Sequence, residues 1–237
     1  MTKGDAREWA RRYVGRHPFL FYNFYRMRPS YRDLLVDRRT QIVIEGFPRS
    51  GNTFAVFAFE QAQRESVRVA HHLHMPAQVM RATRWGIPTL LLARKPTDAA
   101  LSWVIREPGV PIRQALKHYV SFYEKAAEYR DALVVGFFEE VIRDYGAVLE
   151  RVNAKFGTGF SSFVHSEDNV KCVFDRIEEL HRAKRGGVRQ EVERLIVSED
   201  VKIADQLRTF DNEIYVAFAA YNAGPGAVDR YGSRVPP

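Results

Sequence analysis

Gln41-Ile-Val-Ile-Glu-Gly-Phe-Pro-Arg-Ser-Gly-Asn-Thr-Phe54 is the stretch that decides the fold. Its apolar front, Gln41 to Ile44, predicts a buried strand, and the glycine and proline that follow end it. Thr53 then opens a stretch from Phe54 to Gln63 with Ala, Val and Phe at helical spacing and no breaker. Strand, glycine-bearing loop and helix therefore follow in order, which is half of a βαβ unit. Backbone N–H groups at such a helix start converge on an anion, and the helix dipole adds favourable potential. Phosphate or sulfate oxygens fit there.

The loop has the spacing of a nucleotide phosphate loop: Gly46, four residues, Gly51, one residue, and a hydroxyl at Thr53, with a second hydroxyl at Ser50. Asn52 stands where the lysine of that loop belongs. A triphosphate hydrolase needs the lysine against the β- and γ-phosphates and an acidic partner for magnesium, so Asn52 turns the reading away from hydrolysis. Arg49, three residues earlier, offers a replacement cation.

Further along, Val67 to Ala70 alternates like a short strand, Pro76 to Thr83 reads as helix, and Pro88 to Ala93 is a continuous apolar run of strand length. Pro96 to Ile105 and the amphipathic stretch Ile112 to Tyr129 read as helices, and Ala132 to Val135 as another buried strand. Apolar strands alternating with longer helices predict an α/β fold: a three-layer αβα arrangement around a parallel sheet. With 237 residues, 46% apolar and 27% charged, the chain is expected to form one core. The expected division is a basic aromatic segment at 1–40, the α/β domain at 41–220 and a tail at 221–237. Cys172 stands alone and cannot close an internal disulfide. No run approaches the ~18 apolar residues of a membrane-spanning helix, and no signal pattern opens the chain, so a cytoplasmic protein is expected.

The net charge of +7 is concentrated at the N-terminus, where ten Lys or Arg face four acids in the first forty residues. Phe19, Leu20, Phe21, Tyr22, Phe24 and Tyr25 interleave with them. Two readings stand: a helix that packs its aromatic stripe on the core, or a surface for an anionic partner such as a lipid headgroup layer, an acidic glycan or nucleic acid. The second would make the protein peripheral to a membrane; no specific nucleic-acid recognition is expected.

A second segment, Ala93-Arg-Lys-Pro-Thr-Asp-Ala-Ala-Leu-Ser-Trp103, sets an arginine at a strand end and a serine on the following helix, where both can converge on one phosphate. Together the two segments resemble the sulfotransferases that use 3′-phosphoadenosine 5′-phosphosulfate. The donor loop of that family reads Pro, Lys or Arg, Ser, Gly, Thr, Thr, then an aromatic or Leu. Pro48, Arg49, Ser50, Gly51, Thr53 and Phe54 match it, and Asn52 departs. The second family motif is matched by Arg94, Pro96, Asp98 and Ser102, with Lys95 in place of the usual Asn. Weaker echoes run from Val134 to Val141 and from Val148 to Phe160, so the resemblance spans roughly residues 40 to 220.

The resemblance implies a P-loop-like fold, 3′-phosphoadenosine 5′-phosphosulfate as cosubstrate, no metal requirement, and a small-molecule, lipid or glycan acceptor. It also implies that Pro48 to Phe54 hold the 5′-phosphosulfate, with Arg49 stabilising charge on the leaving phosphate. Arg94 and Ser102 would hold the 3′-phosphate, under a basic loop carrying Arg182, Arg185 and Arg189. Sulfuryl transfer to an alcohol needs a base, and imidazole suits it. Val69-Ala-His-His-Leu-His-Met-Pro76 supplies three, and His74-Met-Pro76 fits the family's order of histidine, apolar residue and proline. His72, on the same strand face two residues away, is the alternate. Residues 104 to 130 and the N-terminal aromatics are expected to line the acceptor site.

Two other readings accompany this one: a P-loop kinase or NTPase that has lost its lysine, and a non-catalytic nucleotide-binding module. The tail from Ala219 to Tyr231 resembles the Ala-Tyr-Asn-Ala-Gly-Pro-Gly segment of lytic transglycosylases, but the upstream glutamate motif of those enzymes is missing, so no catalytic role is assigned to it.

Overall fold

The computed structural model describes residues 3–107 and 109–184. Four strands, β1 (Ile42–Gly46), β2 (Val69–His71), β3 (Thr89–Ala93) and β4 (Val134–Phe137), form one parallel sheet in the order β2-β1-β3-β4. Nine helices among the described residues surround or extend it: α1 (Lys3–Gly15), α2 (Pro18–Arg26), α3 (Asn52–Ala62), α4 (Pro76–Arg84), α5 (Pro96–Arg106), α6 (Ile112–Ala127), α7 (Phe138–Val141), α8 (Tyr145–Phe156) and α9 (Glu167–Lys184). The expected α/β class and its three layers are what the chain forms. Arg185, Arg189 and the tail from Ala219 onward lie outside the described residues.

Alternation along the strands explains the layers, because neighbouring residues of a strand point to opposite faces. Ile42, Ile44, Leu90, Leu92 and Val134 face one side, where Phe54 and Phe59 of α3, Val148 and Val152 of α8 and Val173 of α9 cover them. Leu91, Ala93, Val135 and Phe137 face the other side, beneath Ala99 and Trp103 of α5 and Tyr119 and Phe122 of α6. Val43 and Ala70 on that side are covered by Phe21 and Tyr22 of α2 and Ala77 of α4. The strands are buried on both faces, which is why they read as unbroken apolar runs.

The N-terminal forty residues are not one helix. Pro18 occupies the first turn of α2 and ends the preceding segment, and a 3₁₀ turn at Pro29–Leu34 leads into the core residues Leu35 and Val36. Only part of the aromatic stripe is used by the core: Phe21 and Tyr22 are buried, whereas Phe19, Leu20 and Phe24 stay exposed.

Chain direction reverses across the sheet between β1 and β3, since β1 leads outward to β2 and the chain must then cross back to lay β3 on the other side. Ligands of open α/β sheets bind beyond the carboxyl ends of strands at such a switch point. Both sequence motifs leave the sheet there, one after β1 and one after β3.

Candidate active site

The first motif is shaped by a close approach. Gly46 ends β1 opposite Leu92, and a Cβ at that position would lie 2.6 Å from the Leu92 carbonyl oxygen, so only glycine fits. The chain then turns through Phe47 to Gly51. Arg49 (φ 69°) and Gly51 (φ 87°) both adopt the left-handed conformation, which costs roughly 1 kcal/mol or more at a non-glycine residue and is held only by surrounding bonds.

Those bonds can be traced. The Ser50 amide and the Asn52 Nδ2 both donate to the Phe47 carbonyl, at 3.2 and 2.9 Å. Tyr123 of α6 donates to Leu92 O at 2.7 Å, accepts the Phe47 amide at 3.4 Å, and has the Ser50 hydroxyl 3.4 Å away. Ser50 is fully buried and Asn52 nearly so. Their side chains thus brace the loop from within. Asn52, in the lysine position, spends its amide nitrogen on a backbone carbonyl. Phe54 also turns away, into the core beside Tyr145, Phe163, His165 and Phe174.

Facing outward, the start of α3 is uncapped: Gly51 is its N-cap and has no side chain to offer. The first N–H groups of any α-helix lack an intrahelical partner, so this end presents donors and positive potential to an anion.

The second motif meets the first at this point. Arg49 Nε donates to Ser102 Oγ at 2.9 Å, across 53 residues of sequence, and Arg94 Nη1 donates to the Arg49 carbonyl at 3.1 Å. The Arg94 guanidinium lies 4.2 Å from the centre of the Phe138 ring, and that ring also packs on Gly51, where an added Cβ would come within 3.2 Å of it. Tyr119 ties the Arg94 carbonyl at 2.8 Å. Two arginines, a serine and a helix start therefore share one edge of the sheet. Lys95 and Asp98 are exposed beside them, and Pro48 is buried.

The histidines lie on the other side of the loop, and their placement corrects one expectation. β2 ends at His71, so His72 and His74 do not share a strand face; they sit in a turn, with φ of 59° and 52°. Glu45 explains how the turn survives two such residues. Its carboxyl group, fully buried near the end of β1, accepts the Leu73 amide at 2.9 Å and the His74 amide at 3.1 Å on its two oxygens. His74 Nδ1 lies 2.7 Å from the Gly46 carbonyl. A carbonyl can only accept, so the proton sits on Nδ1 and the lone pair on Nε2. His72 Nε2 is 3.0 Å from Thr53 Oγ1, and its Nδ1 contacts that of His71.

Burial sets the protonation of this group. It pushes the His71 and His74 imidazoles down to about 4, so both are neutral at pH 7, and it pushes the Glu45 carboxyl up to about 8. The amide bonds from Leu73, His74 and Gly46 oppose the latter shift without cancelling it. His118 of α6, buried against Phe47 and Trp103, adds to the downward push on His74. Among the described residues no group of three or more His, Cys, Asp or Glu could hold a metal ion.

No family model and no curated protein sequence matches the chain. A mouse sulfotransferase has a similar structure. Solved in complex with PAP, it aligns at a TM-score of 0.48 and 15% identity, over 85% of this chain and 91% of its own. That likeness concerns shape alone, and the chemistry below rests on the residues themselves.

Sequence reasoning passed over three residues of the site. Glu45 carried a signal, a lone charge inside an otherwise apolar strand. Tyr123 lay within the stretch 104 to 130 expected to line the acceptor site and Phe138 within the echo from Val134 to Val141, but neither was singled out as a brace, because an aromatic on a helix face or at a strand end is ordinary core chemistry. Arg182 is exposed near the end of α9, where it pairs with Glu178 at 3.2 Å.

Proposed function

We propose that the chain is a sulfotransferase that moves a sulfuryl group from 3′-phosphoadenosine 5′-phosphosulfate to an acceptor hydroxyl or amine. The observation that carries the reading is the junction of Arg49, Ser102 and Arg94, where two motifs some fifty residues apart in sequence become one anion-binding edge. One phosphate group at the α3 start would explain the loop. A second basic position, Arg94 with Ser102, calls for a nucleotide carrying a second phosphate.

The α3 amides and Arg49 would hold the 5′-phosphosulfate, and Arg94 with Ser102 the 3′-phosphate. The cosubstrate supplies an activated sulfur–oxygen bond. The acceptor oxygen or nitrogen forms the new bond to sulfur while the bond to the donor phosphate breaks, in line. His74 takes the acceptor proton on Nε2, since Nδ1 is already committed to Gly46, and Arg49 neutralises the charge left on the departing phosphate. A neutral His74 is in the form a base requires, and a bound anion beside it would raise its affinity for the proton.

Thermal-shift titration with the 3′,5′-bisphosphate product, ATP and AMP tests the reading, because a ligand that binds the folded state raises the melting temperature. A response to the bisphosphate well above that to AMP is the expected result. Equal responses to all three, or magnesium-dependent ATP turnover without sulfonation, would replace it with the lysine-less NTPase.

A further inference from the structure

We infer that α1 and α2 form a docking surface for an anionic lipid bilayer. Helix α2 is apolar on two sides, whereas a helix on a soluble core needs one apolar stripe. Phe21 and Tyr22 supply that stripe and are buried against the Leu73 and Met75 region. A second stripe, Leu20, Phe24 and Met27 at spacings of four and three, stands in solvent at 39, 40 and 74% exposure, with Phe19 beside it at 76%. On α1, Trp9 stacks on Tyr13 with ring centres 5.3 Å apart, and both are about half exposed. Nothing in the described fold covers these side chains, and an exposed apolar cluster of this size marks an interaction surface.

Charge selects the occupant. Arg28 lies 4.2 Å over the Phe24 ring, and Arg12 and Arg16 follow Trp9 and Tyr13 by one helical turn. Ten of the first forty residues are basic and four acidic. A protein interface depletes charge at its apolar centre. Nucleic acid would draw the arginines but gives Leu20 and Met27 no partner. Protruding apolar side chains framed by arginine match the boundary between acyl chains and phosphate headgroups of an anionic leaflet.

The surface adjoins the histidine turn. Gly15 packs so closely on Met75, next to His74, that a Cβ there would collide with its sulfur, and Arg16 reaches Ser121 and Glu124 of α6. If the sulfotransferase reading holds, the acceptor is an amphiphile presented from the membrane; the docking itself does not depend on that reading.

Sedimentation of the full chain with vesicles of phosphatidylcholine, and of phosphatidylcholine with one third phosphatidylglycerol, tests it. Strong, salt-sensitive binding to the anionic vesicles and weak binding to the neutral ones is expected. Phe19→Glu combined with Met27→Glu should lower the anionic partition coefficient roughly a hundredfold, with the melting temperature and the response to the bisphosphate product unchanged. Arg12→Glu with Arg28→Glu should remove the preference for anionic lipid. Failure to bind, equal binding to both vesicles, or an indifferent Phe19/Met27 double variant would overturn the inference. So would a dimer in solution, or oligonucleotide binding, that the same double variant abolishes. A lost bisphosphate response with vesicle binding intact would count against the catalytic reading alone.

Discussion

The two halves of the candidate site are held in different ways. The candidate anion edge is braced mainly by side chains from the segments that define it, Asn52 onto Phe47, Arg49 onto Ser102 and Arg94 onto the Arg49 carbonyl, with Tyr119 and Tyr123 of α6 added from outside. The histidine turn supplies little of its own support. Two left-handed residues, His72 and His74, are kept in place by the Glu45 carboxyl group of the neighbouring strand and by a strand carbonyl. A motif that carries its own braces leaves a sequence signature, whereas one braced from outside does not. The same division suggests separable failures, with binding lost at one half and transfer at the other.

The largest effect should come from His74→Ala. Removing a general base costs about 10²–10⁴ in rate, and because the anion edge is untouched, affinity for the bisphosphate product should stay as it was. Single-turnover sulfonation read against product binding checks both. A variant with the full rate would end the assignment of His74 and break the division at once.

Arg94→Ala should do the converse. Losing a charge-assisted contact with a phosphate costs about 1.5–3 kcal/mol, or roughly ten- to a hundredfold in affinity for the bisphosphate. AMP, which lacks the 3′-phosphate, should bind the variant as it binds the parent. A calorimetric titration in which both nucleotides lose equally would mean that Arg94 holds the loop through the Arg49 carbonyl and touches no phosphate.

This contrast explains what could be read in advance. The strands were legible because both their faces are buried, α4, α5 and α6 because prolines mark their starts, and α3 from its apolar spacing; the α/β class followed from that alternation. Arg49, Ser102 and Arg94 were legible because their motifs are short and contiguous. Ser50, Asn52 and Phe54 have the residue types of a ligand-binding loop, yet Ser50 and Asn52 turn inward onto Tyr123 and Phe47, and Phe54 joins the core. Sequence spacing states where a side chain starts along the chain and not which way a left-handed turn sends it. Glu45 was hidden for a related reason: its partners, the Leu73 and His74 amides, lie on another strand's exit and belong to no pattern in the sequence.

Glu45 therefore offers the sharper test of outside bracing. Burial raises its carboxyl from the ordinary 4.5 to about 8, so its contribution to stability is full below pH 4.5 and is lost as pH rises toward 8. His71 and His74 run the other way. Their pKa values fall from 6.5 to about 4, so their contribution is present above pH 6.5 and lost as pH falls toward 4. Of these three groups only Glu45 keeps a slope above pH 6.5, at most about 1.4 kcal/mol per pH unit. Unfolding free energy measured by urea titration should decline from pH 6.5 to 8 in the parent and lie flat in Glu45→Gln. The same variant should sulfonate more slowly with product affinity unchanged; a fall in product affinity would show that the carboxylate supports both halves.

The smallest effect separates the brace from the ligand contact at a single residue. Asn52→Ala removes one buried hydrogen bond to Phe47, a loss of about 1 kcal/mol. The Asn52 Oδ1 has no partner among the described residues, so no second bond is lost with it. If Asn52 only braces, stability should drop by about that amount, and affinity for the bisphosphate should weaken only a few-fold through a looser loop. Denaturant titration and product binding on one preparation give both numbers. A tenfold or greater loss of affinity with stability unchanged would mean that Asn52 turns outward to the anion when it binds. The phosphate loop would then have kept a polar ligand contact in its lysine position.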